Sequence, residues 1–600
     1  MAAAGFPLQP LIDAAGEASR LRAAPFDVLM AAGGVPEDEL VAALARAIGL
    51  EALGSDAPAG DPIDADQFAL ACRTGVMRLD VDGRARLLVA ARGPAIGRLA
   101  SSRRGRPADG RRVAIAGPRA FANIAVRRAG SALADRASLG PGAIAPELTA
   151  AVAMPVLDQP RREATLAAAA VGVAAAFAFD MVFFALAAIA GLLFFAMNLF
   201  RFLLAMTPAT DDVALPRGDD GDLPIYTVLV GLAFEGAVVP GLLDALESLD
   251  YPAAKLDIKL LIEEGDHDTL GALARRPPRA GIEVLTLPPG GPKTKPRALN
   301  AGLLAARGTL LTVFDAEDRP EPDQLRRALE VFRRNRPDLA CVQARLAIDN
   351  LDDGWLARQF GVEYAALFDV SVPALATLGM PIPLGGTSNH FRTSALRMVG
   401  GWDASNVTED ADLGLRLARL GWRTTTVRST TWEEATTSLW PWLKQRTRWM
   451  KGFMVTAVVH GRSGGDLASR LGPARFVSAC MAVAGVALTA LAYPVVVVGL
   501  LIGGLTGSLF AVSGGLTEAA FVGVHVANLI VGYATGLACG WMGVDRRGPA
   551  RLALDLFTMP IYWLLVGVAA WRALGQIVYG SSTRWEKTMH GVSNRRRTPT

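Results

Sequence analysis

The chain has 600 residues, of which 51% are apolar and 20% are charged, and its mean hydropathy is +0.30. This length predicts several domains, and the charged fraction is below the ~25% typical of soluble domains. The composition therefore excludes a disordered chain and argues against an entirely soluble one. A net charge of +4 gives no reason to expect a nucleic acid partner. The four cysteines have no paired spacing, so they indicate neither a disulfide framework nor a zinc site.

The first 150 residues are expected to form a separate, small α+β domain. Residues 26–50 contain two helical segments on either side of Gly33 and Gly34, and residues 86–91 and 112–115 have the composition of short strands. The pattern resembles the N-terminal domain of type II secretion and pilus-assembly ATPases, which in some members binds cyclic di-GMP. Residues 25–27 read Pro-Phe-Asp where the nucleotide-binding version has Arg-Leu-Gly. The resemblance therefore favours a docking or regulatory domain, with export-complex proteins as the expected partners and cyclic di-GMP binding as the alternative.

The first long apolar run covers residues 166–206. It is about twice the ~20 residues that one membrane helix needs, so we predict a transmembrane hairpin with Asp180 at its turn. Arg161 and Arg162 precede the run and Arg201 lies near its end, which favours cytoplasmic positions for both ends. The alternative is a buried helical hairpin of a soluble protein.

The second apolar region, residues 476–578, divides into segments 476–512, 518–543 and 552–578. Pro494 either kinks one long span or separates two short ones. If the Arg546–Arg547 pair and the tail, residues 579–600, are both cytoplasmic, segment 552–578 is not a simple span, and the sequence around Met559 could break it into a re-entrant or interfacial helix. We therefore predict four to six spans, with both termini in the cytoplasm.

Between these regions, residues 220–470 alternate short apolar strands with helical segments. Such continuous apolar strands predict a mostly parallel α/β sheet, whose active site lies beyond the carboxyl ends of the strands. The predicted strands are residues 226–232, 258–262, 282–287, 310–314 and 339–344.

Acidic residues follow two of these strands and recur farther along the chain. They lie at residues 263–266, 315–318 and 409–410. Carboxylates at strand ends hold a hard cation such as Mg²⁺ or Mn²⁺, or act as a general base. The alternative is that they are helix N-caps and solvated turns, where Asp and Glu are also favoured.

Two basic segments accompany the acidic ones. Residues 293–300 (KTKPRALN) suit a diphosphate leaving group, and residues 445–449 (QRTRW) lie in a Trp-rich stretch that suits a sugar ring and a phosphate. The alternatives are a solvated basic loop and an interfacial helix whose Trp and Arg side chains anchor at the lipid headgroups.

The order Asp-x-Glu-Asp at 315–318, Thr-Glu-Asp at 408–410 and Gln-x-x-Arg-Trp at 445–449, flanked by apolar segments, resembles the processive family 2 glycosyltransferases. This family includes cellulose, hyaluronan and curdlan synthases, and the resemblance covers roughly residues 160–590. It implies a GT-A domain inserted between transmembrane helices of the bacterial inner membrane. It also implies Mg²⁺ or Mn²⁺, inversion at the anomeric carbon, and transfer from a nucleotide-sugar such as UDP-glucose to a growing β-linked polysaccharide.

The resemblance further implies a role for each motif residue. Asp410 would be the catalytic base, with Glu409 and Asp315 as further catalytic residues. The donor pocket would contain Glu235, Glu263, Glu264, Lys295 and Asn300. The metal would be held by Asp315, Glu317 and Asp318, and the acceptor and diphosphate by Gln445, Arg448 and Trp449. Glu317 stands where the family usually has Asp, so its carboxylate lies one methylene farther from the backbone.

Two other functions remain open at this point. A glycolipid synthase would add one sugar to a lipid such as diacylglycerol, and an inactive transferase would serve as an export or receptor component. No residue pattern discriminates between glucose and its epimers.

Overall fold

The computed structural model describes most of the chain. The described residues are 1–2, 5–81, 84–102, 113–153, 163–164, 167–168, 170–172, 174, 180–208, 218–507, 516–547 and 550–579. They form two compact units. The first comprises residues 1–144, 213–344 and 387–404, and the second comprises residues 145–212, 345–386 and 405–600.

The strands and helices are numbered here in chain order. The strands are β1 (Glu51–Leu53), β2 (Val76–Val81), β3 (Arg84–Ala90), β4 (Val113–Ala116), β5 (Tyr226–Leu232), β6 (Leu256–Glu263), β7 (Glu283–Leu287), β8 (Leu310–Phe314), β9 (Arg319–Pro320), β10 (Leu339–Ile348), β11 (Asn389–Arg392) and β12 (Arg423–Glu433). The helices are α1 (Leu8–Leu21), α2 (Pro25–Ala31), α3 (Glu37–Ile48), α4 (Ala65–Thr74), α5 (Gly93–Ser102), α6 (Pro118–Leu139), α7 (Ala150–Ala153), α8 (Asp180–Met206), α9 (Val239–Glu247), α10 (His267–Arg275), α11 (Lys295–Ala305), α12 (Gln324–Arg334), α13 (Trp355–Ala366), α14 (Val372–Thr377), α15 (Thr393–Met398), α16 (Glu409–Arg419), α17 (Leu439–Gly461), α18 (Gly464–Leu471), α19 (Pro473–Cys480), α20 (Val486–Thr506), α21 (Leu516–Arg547) and α22 (Met559–Val578).

The first unit begins with a small α+β domain. Its sheet has the strand order β1-β4-β3-β2, in which β4 pairs in parallel with both β1 and β3. The buried side chains of Phe26, Leu40, Leu44 and Ile115 join α2 and α3 to this sheet. The predicted helices on either side of Gly33 and Gly34 and the two predicted strands are thereby confirmed.

A second, mixed sheet follows in the same unit. Strands β7, β6, β5 and β8 are neighbours in that order and run parallel, whereas β11 pairs antiparallel with β8 and β10. All five predicted strands are present, and the parallel arrangement is confirmed for four of them. Strand β11 was not expected, because its sequence Asn-His-Phe-Arg lacks an apolar run. Its buried His390 is instead hydrogen-bonded at 2.8 Å to the hydroxyl of Tyr226.

The N-terminal domain packs against the edge strand β7 through buried charges. The guanidinium of Arg92 contacts the carboxylate of Glu283, which also accepts a hydrogen bond of 2.7 Å from Lys259 Nζ. Arg119, near the start of α6, donates to three main-chain carbonyl groups just before β7, those of Pro278, Arg279 and Ile282. Buried ions are tolerated where each finds partners of this kind, so this contact belongs to the fold of the unit.

Among its described residues, the second unit contains four helical segments that are long and apolar enough to cross a membrane, judged by length and composition. They are Ala185–Met206, Pro473–Thr506, Val522–Arg547 and Leu552–Val578. Helix α8 begins at Asp180, and most of the predicted first arm of the hairpin lies outside the described residues. The basic tail after residue 579 also lies outside them.

The structure describes two features of the second apolar region that the sequence left open. Pro494 lies inside α20, so the first segment is one long helical run and not two short spans. In the last segment, a 3-10 helix, Ala550–Thr558, ends where α22 begins at Met559, with Pro560 in its first turn. The helix type therefore changes at Met559, where proline is compatible with a helix start but not with a helix interior. Leu552–Val578 as a whole is long and apolar enough to cross a membrane, so a re-entrant or interfacial position for this segment stays a prediction.

Candidate active site

The predicted site residues fall in both units, and each set is described within its own unit. The donor and metal residues, from Glu235 to Asp318, belong to the first unit. The residues from Glu409 to Trp449 belong to the second.

The predicted metal motif forms a tight turn directly after the central strand β8. The main-chain N–H of Asp315 donates to Asp318 Oδ2 at 2.6 Å, and the hydroxyl of Thr387 contacts the same oxygen. Asp318 is 1% exposed, and its other oxygen, Oδ1, is buried without a hydrogen-bond partner in the described structure. Asp318 therefore holds the turn that presents Asp315 and Glu317.

The turn concentrates negative charge in a buried place. Burial raises the pKa of Glu317 to about 8, and the neighbouring charges of Asp315 and Glu235 add to this effect, while Lys295 lowers the pKa. Lys295, the first residue of α11, contacts the carboxylate of Asp315. One lysine thus faces several carboxylates, and a further cation would relieve their repulsion.

These residues fit a divalent cation. Within the described part of the chain, no group of three or more His, Cys, Asp or Glu side chains is arranged to hold a metal. Mg²⁺, however, is commonly bound by one or two carboxylates together with the phosphates of a substrate. Asp315 and Glu317 can supply those two carboxylates, and the buried, unpaired oxygen of Asp318 lies in the same turn.

The glutamates after β6 have different surroundings. Glu263 contacts the guanidinium of Arg297, which also donates at 3.2 Å to the carbonyl of Pro288. Burial raises the pKa of Glu263, and the nearby Arg297 partly offsets this. Glu264 is exposed. Glu263 therefore fixes Arg297 and the loop after β7, whereas the side chain of Glu264 reaches solvent.

Asn300 requires a correction. Its side-chain amide donates to the carbonyl groups of Ala137 and Trp402, both at 2.8 Å, and its oxygen accepts from the N–H of Trp402 at 2.9 Å. The side chain lies on the inner side of α11 and is 6% exposed. The structure thus gives Asn300 a structural role, joining α6 of the N-terminal domain to the loop at Trp402, in place of the predicted contact with donor phosphates.

In the second unit, Asp410 lies in the first turn of α16. Its Oδ1 accepts a hydrogen bond from the N–H of Ala411 at 2.8 Å. A helix N-terminus favours the ionised form of such a carboxylate. Gly386 approaches the other oxygen so closely that a Cβ at this position would lie 3.1 Å from Oδ2. Glu409 occupies the same first turn of the helix.

Helix α17, which carries Gln445, Arg448 and Trp449, is attached to the segment around Asp410. Asn406 donates to the hydroxyl of Thr456 at 2.9 Å. A Cβ at Gly452 would lie 2.2 Å from the side chain of Thr408, so this close approach requires glycine. His460 Nε2 lies 3.0 Å from Asp412 Oδ1. The segment that carries Asp410 is therefore packed tightly against helix α17.

The predicted acceptor residues differ in their exposure. Gln445 is buried, and its Oε1 has no hydrogen-bond partner in the described structure. Arg448 and Trp449 are half-buried. The ring of Trp449 stacks on Tyr364, with centroids 6.5 Å apart and an interplanar angle of 11°.

Arg446 was missed by the sequence reasoning, although it is the centre of this region. Its guanidinium lies 4.3 Å from the ring centroids of both Phe360 and Trp449, and 5.6 and 5.7 Å from those of Trp442 and Tyr562. We call these four rings the aromatic cage. Arg446 also pairs with Glu363, at 2.5 and 2.8 Å. The signal was the helical spacing of positions 442, 446 and 449, which brings them to one face.

Comparison with known proteins finds similarity over the region of the mixed sheet. The family model described as "Glycosyltransferase like family 2" matches residues 224–452. The "Probable glycosyltransferase YdaM" of Bacillus subtilis is 26% identical over 235 residues, 38% of this chain and 56% of that protein. The "Beta-monoglucosyldiacylglycerol synthase" of Synechocystis sp. is 30% identical over 258 residues, 42% of this chain and 53% of that protein. The chain thus spans about half the length of these relatives.

Among solved structures, the mannosyltransferase PcManGT of Pyrobaculum calidifontis, in complex with GDP-Man and Mn²⁺, matches with a TM-score of 0.41 and 17% identity. The match covers 66% of this chain and 99% of that one. The family match agrees with the mixed sheet and with the order of the acidic motifs. Residues 224–452 are therefore similar to the glycosyltransferase family 2 model and contain most of the mixed α/β sheet, and apolar helices follow them along the chain.

Proposed function

We propose that this protein is an inverting glycosyltransferase of the bacterial inner membrane that transfers a hexose from a nucleotide-sugar, UDP-glucose or a similar one, to a growing β-linked polysaccharide. The observation that carries the proposal is the attachment of the Asp410 segment to α17. Through Asn406, Gly452 and His460, the predicted base is packed against the helix that carries the Gln-x-x-Arg-Trp motif.

The chain's own groups suit this reaction. Asp410 accepts the proton of the acceptor hydroxyl, and the acceptor oxygen then displaces the nucleoside diphosphate from the anomeric carbon. Attack from the opposite face converts an α-linked donor into a β-linked product. Lys295 donates to the diphosphate as its negative charge develops. A divalent cation held by Asp315 and Glu317 would neutralise part of that charge when bound.

The acceptor residues suit a sugar. Trp449 keeps part of its ring exposed while Tyr364 supports the other part, and the polar groups of Gln445 and Arg448 lie on the same helix. An aromatic ring beside hydrogen-bonding groups can contact both the apolar face and the hydroxyls of a hexose.

A second candidate is a glycolipid synthase that adds one sugar to diacylglycerol. It is favoured by the similarity to the cyanobacterial relative of that name, which extends over 258 residues. The two candidates share the donor chemistry and differ in the acceptor.

The test uses the full-length protein in lipid nanodiscs. A panel of radiolabelled UDP-sugars is supplied with Mg²⁺ or Mn²⁺, and UDP release and the partition of the labelled product are measured. We expect Asp410→Asn to lower kcat ~10²–10⁴-fold, the range for loss of a general base. Asp38→Asn, at an exposed carboxylate that also lies in the first turn of a helix (α3), is the matched control and should retain wild-type turnover.

Each outcome decides between the candidates. A labelled polymer supports the polysaccharide synthase, and an organic-soluble lipid with one sugar supports the second candidate. Wild-type turnover in Asp410→Asn would remove this residue as the base. No transfer from any donor would favour the inactive transferase.

We further propose that the N-terminal domain is a docking or regulatory domain acting on donor binding. Its helix α6 reaches α11, the helix of Lys295, through the hydrogen bond from Asn300 to Ala137. Cyclic di-GMP is tested by measuring its binding to the protein and its effect on the KM for the nucleotide-sugar. If it neither binds nor changes this KM, it is excluded as the regulator.

A further inference from the structure

A basic recess lies in the second unit, on strand β12 and near the end of helix α21. It has a volume of about 120 Å³ and is lined by Arg345, Asp369, Thr426, Arg428 and Arg546, among other residues. None of these residues belongs to the predicted transferase site. All of them lie within the same compact unit.

The positive charge of the recess exceeds the negative charge. Asp369 pairs with Arg345 at 3.0 Å, and it also contacts Arg547. Arg546 contacts the main-chain oxygen of the same aspartate. The carboxylate of Asp369 is therefore shared by Arg345 and Arg547. The other two arginines of the recess, Arg428 and Arg546, have no acidic partner in the described structure.

Two guanidinium groups are incompletely paired. Arg345 Nε is buried and has no hydrogen-bond partner among the described residues. Arg428 is exposed and forms no ion pair there. Because a buried donor without a partner is costly, this arrangement favours an anion with several acceptor oxygens.

The position of the recess indicates where that anion comes from. Arg546 is the penultimate residue of the apolar segment Val522–Arg547, which is long enough to cross a membrane. Arginines at the end of such a segment lie at the level of lipid headgroups. Basic pockets beside membrane helices bind anionic headgroups, and the guanidinium fork matches the geometry of phosphate oxygens.

We propose that this recess binds a phosphate group, with the headgroup of an anionic phospholipid as its source. Arg345, Arg428 and Arg546 are the groups that contact the phosphate. The proposal does not depend on the transfer reaction, since no residue of the recess takes part in it. A free phosphate or diphosphate has the same chemistry, and the experiment separates the two sources.

The experiment uses the full-length protein in two kinds of nanodisc, one of phosphatidylcholine alone and one with phosphatidylglycerol added. Retained phosphatidylglycerol is counted by native mass spectrometry after release from the discs. The variants are Arg428→Gln, Arg546→Gln and the double variant. Arg423→Gln is the matched control, because Arg423 lies on the same strand and is also exposed but does not line the recess.

We expect each single substitution to weaken phosphatidylglycerol binding about fivefold, and the double substitution about 25-fold, from the contribution of one arginine near an anionic surface. Arg423→Gln should change binding less than twofold. The thermal midpoint in phosphatidylcholine discs should be the same for all variants, which verifies folding. Arg428→Gln alone keeps the test valid if Arg546 is needed for folding, because Arg428 is exposed.

A second arm titrates inorganic phosphate and pyrophosphate into the protein in phosphatidylcholine discs and follows the thermal midpoint. Stabilisation that depends on Arg428 and Arg546 would support the phosphate site and assign it a soluble source. Retention that is equal in the wild type and the double variant overturns the proposal. The proposal is also overturned if Arg423→Gln loses as much phosphatidylglycerol binding as the recess variants. It is overturned as well if the wild-type protein binds neither phosphatidylglycerol nor phosphate.

Discussion

Replacing Arg446 by methionine tests whether the aromatic cage holds helix α17 in place. Methionine keeps much of the length of the side chain but removes the charge and the planar group. The arginine is 1% exposed and pairs with Glu363, whose side chain is 35% exposed. We expect a large loss of stability, because the ion pair with Glu363 and the cation–π contacts with the aromatic cage disappear together.

The magnitude follows from the surroundings. Removing one partner of a buried ion pair costs about 3–5 kcal/mol. The lower end applies here, because Glu363 stays partly hydrated and still accepts from the hydroxyl of Tyr562 at 2.8 Å. Loss of desolvated cation–π contacts adds about 2 kcal/mol, of which methionine's own contacts with the rings recover about 1 kcal/mol. The expected total is about 4 kcal/mol.

The assay is thermal unfolding in nanodiscs, followed by tryptophan fluorescence. A loss of this size corresponds to about 6 °C in Tm for a unit of about 300 residues. The matched control is Lys444→Met on the same helix, where the amine lies 5.5 Å from the ring of the exposed Trp440. We expect this control to cost no more than about 1 kcal/mol.

Two results would refute the reasoning. If Arg446→Met and Lys444→Met lower Tm equally, the cage contributes nothing beyond an exposed contact. If Arg446→Lys has the full stability of the wild type, the charge alone matters and the stacking with Phe360 and Trp449 does not.

The remaining predictions concern the other contacts. Arg92→Met leaves Glu283 buried with Lys259 as its remaining partner in the ion pair network, and we expect a loss of about 3 kcal/mol in thermal unfolding. Burial alone would raise the pKa of Glu283, but the neighbouring cations, Arg92 and Lys259 first, lower it. The stabilisation of the fold by the ionised Glu283 is therefore fully present above the unfolded-state pKa. It is lost as the pH falls through the folded-state pKa. The acid branch of the stability profile should therefore be shallower in Arg92→Met, and identical profiles would contradict this. Gly386→Ala brings a Cβ to 3.1 Å from Asp410 Oδ2 and should lower kcat on the order of threefold to tenfold. Gly464→Ala is its control, because a Cβ there meets open space, and equal kcat values for the two would argue against the close approach.

The strands of the mixed sheet were predictable because they are buried on both faces. Strands β5 and β8 begin and end at the predicted residues, since continuous apolar runs identify such strands. Strand β11 gave no such signal. Its buried polar side chain, His390, is satisfied by Tyr226, a residue 164 positions earlier in the chain, and sequence periodicity contains no information about that pairing.

The site was predictable only in part, for the same physical reason. The acidic motifs were located by their order and by their position after strands. The use of Asn300 depends on the carbonyl of Ala137, which is 163 positions away. The burial of Arg446 depends on rings from α13 and α22. Both roles follow from tertiary partners, so neither could be assigned from the local sequence.

Helix α17 connects the predicted base to a membrane-type helix. Near its start, Arg446 and Trp442 contact Tyr562 of α22. In its second half, Thr456 is bonded to the segment that carries Asp410. These contacts are ten positions apart, or about 15 Å along a rigid helix. A displacement of α22 therefore moves helix α17, and with it the segment that carries Asp410, unless the contacts in the aromatic cage are broken. Because α22 is an apolar helix of the kind that crosses a bilayer, the surrounding lipid can influence the position of Asp410 through this one helix.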